Sequence, residues 1–263
     1  MSLIYEPKGR AREYSPLALN IYTGCDHGCK YCYGKLMWQG KNWTTPRLRD
    51  LKGLEREVER LDKDKQVLLC FMGDPYCHLE SENMQTRKVL ELFLDYQVPT
   101  AILTKGGKRC LRDLDLFLDF EAVKVGASLT LIEEKDSLDW ESNAALPGDR
   151  IETLRILHEQ GIMTWVSLEP VIDPEQTLDL IDRTHEFVDH YKVGKMNHHK
   201  LDINWKDFGL QAIERLDKYG KDFYIKEDLA KYIPAGLMTE EQRDMDYLNV
   251  KAQRDDSAQL ALF

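Results

Sequence analysis

Six short apolar runs, each followed by a helical pattern, limit this chain more than any other feature. The runs are "LALNIYTG" (17–24), "VLLCFMGD" (67–74), "TAILTK" (100–105), "VKVGASLT" (123–130), "MTWVSLEP" (163–170) and "HYKVGKM" (190–196), with a weaker seventh at "DFYIKE" (222–227). Strands that alternate with helices need parallel, right-handed crossovers, and near-continuous apolar strands suit a sheet covered on both faces. A barrel, closed or partial, and an open doubly wound sheet both satisfy the pattern. In either fold the working residues gather where strands end and loops begin. Cys25, Asp74, Lys105, Ser128 and Glu169 all fall at such points. Between the runs, Leu48, Leu51, Leu54, Val58 and Leu61 recur at intervals of three and four and predict one amphipathic helix. A second helix is expected over 147–161, with Ile151, Leu154 and Leu157 inward and Gly161 closing its end.

The longest uninterrupted apolar run, 67–72, is far too short to cross a bilayer. The N-terminal "MSLIYEPKGRAREY" has no hydrophobic signal core, so a cytoplasmic protein without a membrane partner is expected. There, six cysteines are expected to be metal ligands or catalytic groups rather than disulfides. A net charge of −10 argues against non-specific wrapping of nucleic acid. Residues 1–56 nevertheless carry ten Lys/Arg against five Asp/Glu. The positive part of an acidic chain either attracts a phosphate-bearing substrate or is an ordinary solvated surface. The stretch 239–258 has six acids against three bases and reads as a mobile tail.

The chemistry concentrates in "GCDHGCKYCYG" (24–34), where Cys25, Cys29 and Cys32 form C-x3-C-x2-C on the loop leaving the first strand. Zinc, with His27 or a distant residue completing a tetrahedron, is one occupant of such a set. A [4Fe–4S] cluster is the other: it ordinarily takes four thiolates, so three leave one iron open to a ligand. No second C-x2-C pair of the zinc type follows.

"CDHGCKYC", with an aromatic residue before the last cysteine, resembles the signature of radical S-adenosylmethionine (SAM) enzymes. The likeness extends to the spore photoproduct lyase-like group through "GDPYCHLE", "ILTKG", "ASLT", "LPGDRIETLRILHEQGI" and "SLEPVI", in that order. The resemblance implies an α/β fold of the partial (β/α)6 TIM-barrel kind over 1–235, followed by a polar tail, 236–263. It implies a [4Fe–4S] cluster on Cys25, Cys29 and Cys32, whose open iron is chelated by SAM. Reduction by a donor such as flavodoxin or ferredoxin then splits SAM to a 5′-deoxyadenosyl radical. By the same resemblance Tyr31 lies near the adenine or the cluster, and Gly73 and Asp74 meet the SAM amino group. Lys105 pairs with its carboxylate, Ser128 hydrogen-bonds it, and Glu169 serves the ribose or the substrate.

The lyase repairs a thymine cross-link in DNA with a cysteine and tyrosines that return hydrogen to the product radical. Tyr33 is the matching tyrosine here. The lyase's cysteine falls near Met72, which is no thiol, so Cys77 is the candidate donor, while Cys70 and Cys110 are expected in the core. Two further segments suit a DNA substrate. "YKVGKMNHHK" (191–200) is basic, and Trp38 and Trp43 interleave with Lys35, Lys41, Arg47 and Arg49 as base-stacking or packing residues. Finally, Gln259, Leu260, Leu262 and Phe263 in the ending "QLALF" resemble the short peptide by which bacterial repair proteins dock on the replication sliding clamp. A radical SAM enzyme on a small molecule or peptide, and a zinc-stabilised module without catalysis, are the alternatives.

Overall fold

The computed structural model describes residues 2–37 and 42–251. All seven expected strands are present, each shorter than its apolar run. They are β2 (Leu17–Leu19), β5 (Val67–Leu69), β6 (Thr100–Thr104), β7 (Val123–Ser128), β8 (Met163–Leu168), β9 (His190–Val193) and β10 (Asp222–Ile225). They pair in parallel in chain order, and β1 (Ile4–Tyr5) adds an antiparallel edge against β2. This is the largely parallel eight-stranded α/β sheet of a partial TIM-type barrel. The pair β3 (Tyr22–Thr23) and β4 (Arg47–Leu48) forms a separate small ribbon. The strands end early because side chains take over the ladder: Asn20 Oδ1 accepts the N–H groups of both Phe71 and Met72 at 2.8 Å.

Alternation sorts each strand's side chains onto two faces. Val67, Leu69, Ile102 and Val125 pack outward with the helix Gln85–Asp95, which contributes Val89, Leu90 and Phe93. Ala127, Val166, Leu168, Tyr191 and Val193 pack with the helices Pro174–Thr184 and Trp205–Lys218. The helix Pro174–Thr184 starts where its chemistry dictates. Pro174 occupies the first turn and the Asp173 carboxylate accepts Glu175 N at 2.9 Å and Gln176 N at 3.2 Å. The helix Pro147–Glu159 buries Leu154 and Leu157 as expected, with Ile151 only partly buried. Beyond it, Gly161 at φ +79° lets its N–H reach His158 O at 2.9 Å and Ile162 N reach Leu157 O at 3.0 Å.

Two expectations change. The amphipathic helix expected from Leu48 to Leu61 is instead β4 followed by the short helix Leu54–Val58. Asp50 Oδ1 accepts Lys52 N at 2.9 Å, and Gly53 at φ +90° interrupts the backbone, leaving Leu48 46% exposed. The polar stretch from Thr239 is no free tail over its described part. Leu248 and Val250 are buried, Arg12 pairs with Asp246, and Val250 N donates to Gln66 Oε1 at 3.0 Å.

The inner face of the sheet is unusual. Leu68, Ala101 and Trp165 pack there with Tyr14, Phe71 and Leu103, and Lys124 and Lys192 are wholly buried. Lys124 Nζ donates to Leu248 O and lies 5.1 Å from the Trp165 ring centre. Lys192 Nζ donates to Glu13 O at 2.5 Å and to Met245 O at 3.3 Å. The segment 245–250 therefore covers the barrel at the strand starts, with backbone carbonyls as the lysines' partners. Burial pushes the Lys124 ammonium down to about 7 and lowers Lys192 well below its ordinary value. No helix among the described residues is long and apolar enough to cross a membrane.

Candidate active site at the cysteine loop

The loop carrying Cys25, Cys29 and Cys32 leaves β3 at the strand-end side of the sheet. Gly24 makes its first turn possible: at φ +90°, a Cβ there would stand 2.6 Å from Thr45 O and 2.8 Å from Trp43 O. Gly24 N donates to Met72 O and Cys25 N to Trp43 O, each at 2.8 Å. The far side is tied to the chain after the helix Glu134–Trp140, with Lys30 N on Trp140 O at 2.8 Å and Asn143 N on His27 O at 2.9 Å. Gly73 presses the β5 loop onto the cysteine loop, since a Cβ there would lie 2.7 Å from Gly24 O.

Asp74 is buried beneath this loop and fully engaged. Its Oδ1 accepts Tyr76 N at 2.8 Å and Thr104 Oγ1 at 2.6 Å. Its Oδ2 accepts Lys105 N at 2.9 Å and lies 3.0 Å from His27 Nε2. Burial pushes its pKa up, but the His27 ring and the Thr104 and Lys105 hydrogen bonds overcome that and hold it well below the carboxylate range.

Tyr31 and Lys105 come together, with Lys105 Nζ 5.6 Å from the Tyr31 ring centre. Two residues that sequence reasoning missed hold them. The Tyr31 hydroxyl donates to Glu141, which pairs with Arg150 and accepts Thr130 Oγ1 at 3.0 Å. Arg150 also donates to Ala145 O and Ser128 O, each at 2.7 Å. Burial opposes the Glu141 charge, and Arg150 and Lys105 outweigh it. Burial likewise opposes the Lys105 charge, and Cys29 and Glu141 outweigh it. Arg150 lies within "LPGDRIETLR", and nothing local in that string marks it as an internal ion-pair partner.

The other expected residues divide. Ser128 ends β7, buried, with its carbonyl on Arg150. Glu169 belongs to a different set: it accepts Tyr14 OH at 2.7 Å and Asn197 Nδ2 at 3.1 Å and pairs with Lys226. Lys226 ends the weak seventh strand, so the strand-end rule covered its position, whereas Tyr14 and Asn197 carried no signal. Tyr33 is 38% exposed and its hydroxyl donates to Phe71 O at 2.5 Å. Cys77 is 1% exposed and packs in the outer core with Tyr22, Tyr76 and Leu69, so it does not line the inner face. Cys70 directly follows β5, is buried, and its thiol is pushed up to about 12, by burial first and Asp74 second.

Of the basic segment 191–200, Lys192 is internal and Lys195 Nζ lies 5.3 Å from the Trp205 ring centre. His199 meets Trp140 edge-on at 5.8 Å, and Trp140 stacks on Tyr31 at 6.5 Å. Trp43 is buried against Gly34, a packing role. Trp38, Lys41 and the terminal Gln259, Leu260, Leu262 and Phe263 lie outside the described residues.

The donor set fits an iron–sulfur cluster. Burial raises the Cys25 thiol, with Asp74 adding to it, and pushes Cys29 up to about 11 despite Lys105. Thiolates so placed need a positive metal core for compensation. Lys105 beside Tyr31 is the cation available to a carboxylate ligand there.

The comparisons agree with this chemistry. The sequence model of the Radical SAM superfamily matches residues 19–188. An uncharacterized protein of Methanocaldococcus jannaschii is 30% identical over 168 residues, and one of Acidianus two-tailed virus is 27% identical over 188. These alignments cover 62% and 65% of this chain and 61% of each relative. Spore photoproduct lyase complexed with dinucleoside spore photoproduct has a similar fold, at TM-score 0.65 and 12% identity over 81% of this chain and 76% of that one. So does Streptococcus suis SuiB bound to S-adenosylmethionine, at TM-score 0.60 and 14% identity over 79% of this chain and 45% of that one. SuiB bound to its precursor peptide SuiA matches at TM-score 0.63 and 15% identity, over 88% of this chain and 54% of that one.

Proposed function

Because the chain belongs to the radical SAM superfamily, we propose that it is an enzyme that carries a [4Fe–4S] cluster on Cys25, Cys29 and Cys32 and acts on DNA. When bound, the cluster supplies the electron that splits SAM to a 5′-deoxyadenosyl radical. The chain's own part is positioning. Asp74 and Gly73 set the β5 loop against the cysteine loop, Lys105 offers its ammonium to the SAM carboxylate, and Ser128 supports it from the end of β7. Tyr31, fixed by Glu141, supplies an aromatic wall. The observation that carries this reading is the meeting of Lys105, Tyr31 and Cys29 around Glu141.

Glu169, held by Tyr14, Asn197 and Lys226, is assigned to the substrate side, and Tyr33, half-exposed at the loop, to radical relay. Cys77, the candidate hydrogen donor, is buried in the outer core, and Cys70, less deeply buried at the end of β5, is the other candidate thiol. A DNA substrate is supported by the exposed His198, His199 and Lys200 beside Trp140 and by the clamp-like ending of the chain. The fold shared with SuiB keeps a peptide substrate as the second reading.

Anaerobic purification and reduction with SAM tests the core of this. Iron, sulfide and 5′-deoxyadenosine support it, whereas colourless protein with one zinc and no SAM cleavage ends it. Retention by a bacterial sliding clamp, lost on Leu262→Ala and Phe263→Ala, together with altered bases in damaged DNA, supports the substrate. SAM cleavage without either redirects it to a peptide or small molecule. Thiol-trapping with Cys70→Ala and Cys77→Ala decides between the two cysteines.

A further inference from the structure

His27 sits in the cysteine loop and has no place in the catalytic reading. It is 1% exposed, yet its Nδ1 has no hydrogen-bond partner. The opposite nitrogen, Nε2, lies 3.0 Å from Asp74 Oδ2, at ion-pair distance but without a hydrogen bond, so neither ring nitrogen has a hydrogen-bond partner. A ring backed by a carboxylate and offering its other nitrogen is the usual state of a metal-binding histidine. What Nδ1 faces is equally electron-rich. Asp26 Oδ1 lies 3.9 Å away, buried and also without a partner, while Asp26 Oδ2 is held by His78 N and His78 Nδ1, each at 3.1 Å. The Cys25 sulfur completes the group: one ligand atom from each of Cys25, Asp26 and His27 lies within 4.8 Å of the others. Two side chains with buried, unpartnered atoms beside a thiol suit a cation, and a sulfur, nitrogen and oxygen set favours a zinc-like ion.

We infer that Cys25, Asp26 and His27 form a site for a zinc-class divalent ion in the chain before it acquires its cluster, with water as the fourth ligand, and that this ion and the cluster exclude each other because both take the Cys25 thiolate. Binding replaces the Cys25 thiol proton by the metal and releases that proton to solvent. The exclusion rests on the cluster assignment; the metal site does not. Its consequence is a checkpoint at loading, where a zinc-filled loop cannot start cluster assembly until the zinc leaves.

The test is a cobalt titration of the full chain prepared without iron, under argon, read by tetrahedral visible bands and a sulfur-to-cobalt charge-transfer band. One cobalt per chain is expected. Asp74→Asn, which leaves the three ligands but removes the support behind His27, weakens binding about 10–100-fold. His27→Ala and the surface-side Asp26→Asn weaken it at least as much, while Cys29→Ala and Cys32→Ala bind like wild type. Chain loaded with its cluster gives no charge-transfer band. Equal losses in Cys29→Ala and His27→Ala overturn the site, and so does unchanged affinity in both His27→Ala and Asp26→Asn. A cobalt–thiolate band in the loaded protein overturns the exclusion. Cobalt binding of the expected pattern in a chain that takes up no iron removes the catalytic reading and leaves the metal site standing.

Discussion

Replacing Glu141 by Gln removes one charge from the middle of the site and almost nothing from its shape. Glu141 and Arg150 are both within 1% of full burial, so solvent cannot answer for a missing partner. Arg150 keeps its bonds to Ala145 O and Ser128 O but loses its counter-ion, and Lys105 loses the same carboxylate. Breaking a buried pair from one side costs roughly 3–5 kcal/mol. For a chain of this size that lowers Tm by roughly 6–20 °C, at 2–4 °C per kcal/mol. Tyr31→Phe is the control. It removes only the hydroxyl, leaving Glu141 with Arg150 and Thr130, and is expected to cost about 1 kcal/mol. Anaerobic urea unfolding followed by tryptophan fluorescence gives both values, and iron content after reconstitution reports the loop. A cost under about 1 kcal/mol for Glu141→Gln, or a Tyr31→Phe cost that exceeds it, would refute the argument that this ion pair anchors the loop.

Four further outcomes follow from the same structure. Cys29→Ala abolishes SAM cleavage, measured as 5′-deoxyadenosine by chromatography, and retained cleavage rejects its assignment as a ligand. Gly24→Ala forces a side chain into Thr45 O at φ +90° and lowers stability by more than about 1 kcal/mol, read by thermal unfolding. Lys124→Met tests the inner lysine through pH. With a folded pKa near 7 against 10.5 when free, the unfolded chain binds the extra proton between those values, so stability rises with pH. The wild-type stability relative to Lys124→Met is therefore expected to climb by about 1.4 kcal/mol per pH unit from 7 to 10; a flat difference contradicts a neutral Lys124. Ending the chain after Asp244 strips Lys124 and Lys192 of the Leu248 and Met245 carbonyls and is expected to lower Tm, whereas an unchanged Tm denies the segment its covering role.

The parallel strands were legible because strands covered on both faces must be apolar at nearly every position. Their ends were less so, since residues such as Phe71 and Met72 stay apolar after Asn20 has taken their amides from the ladder. The helix expected through Leu48 failed on a short-range feature, the Asp50 turn and Gly53, that periodicity averages away. In the site, Asp74 and Lys105 stood out as strand-end positions, and Tyr31 only through the resemblance carried by "CDHGCKYC". Glu141 and Arg150 were not, because a buried ion pair has the same letters as a solvated one. Lys124 and Lys192 stand for the same limit: backbone carbonyls far away in the chain, of Leu248 for one and of Glu13, Tyr14 and Met245 for the other, make their burial tolerable, and nothing in "VKVGAS" or "HYKV" announces those partners.

The lid made by residues 245–250 has an architectural consequence. It shuts the ammonium groups of Lys124 and Lys192 off from water at the strand starts, and leaves the opposite, strand-end side, where the cysteine loop lies, as the side it does not cover.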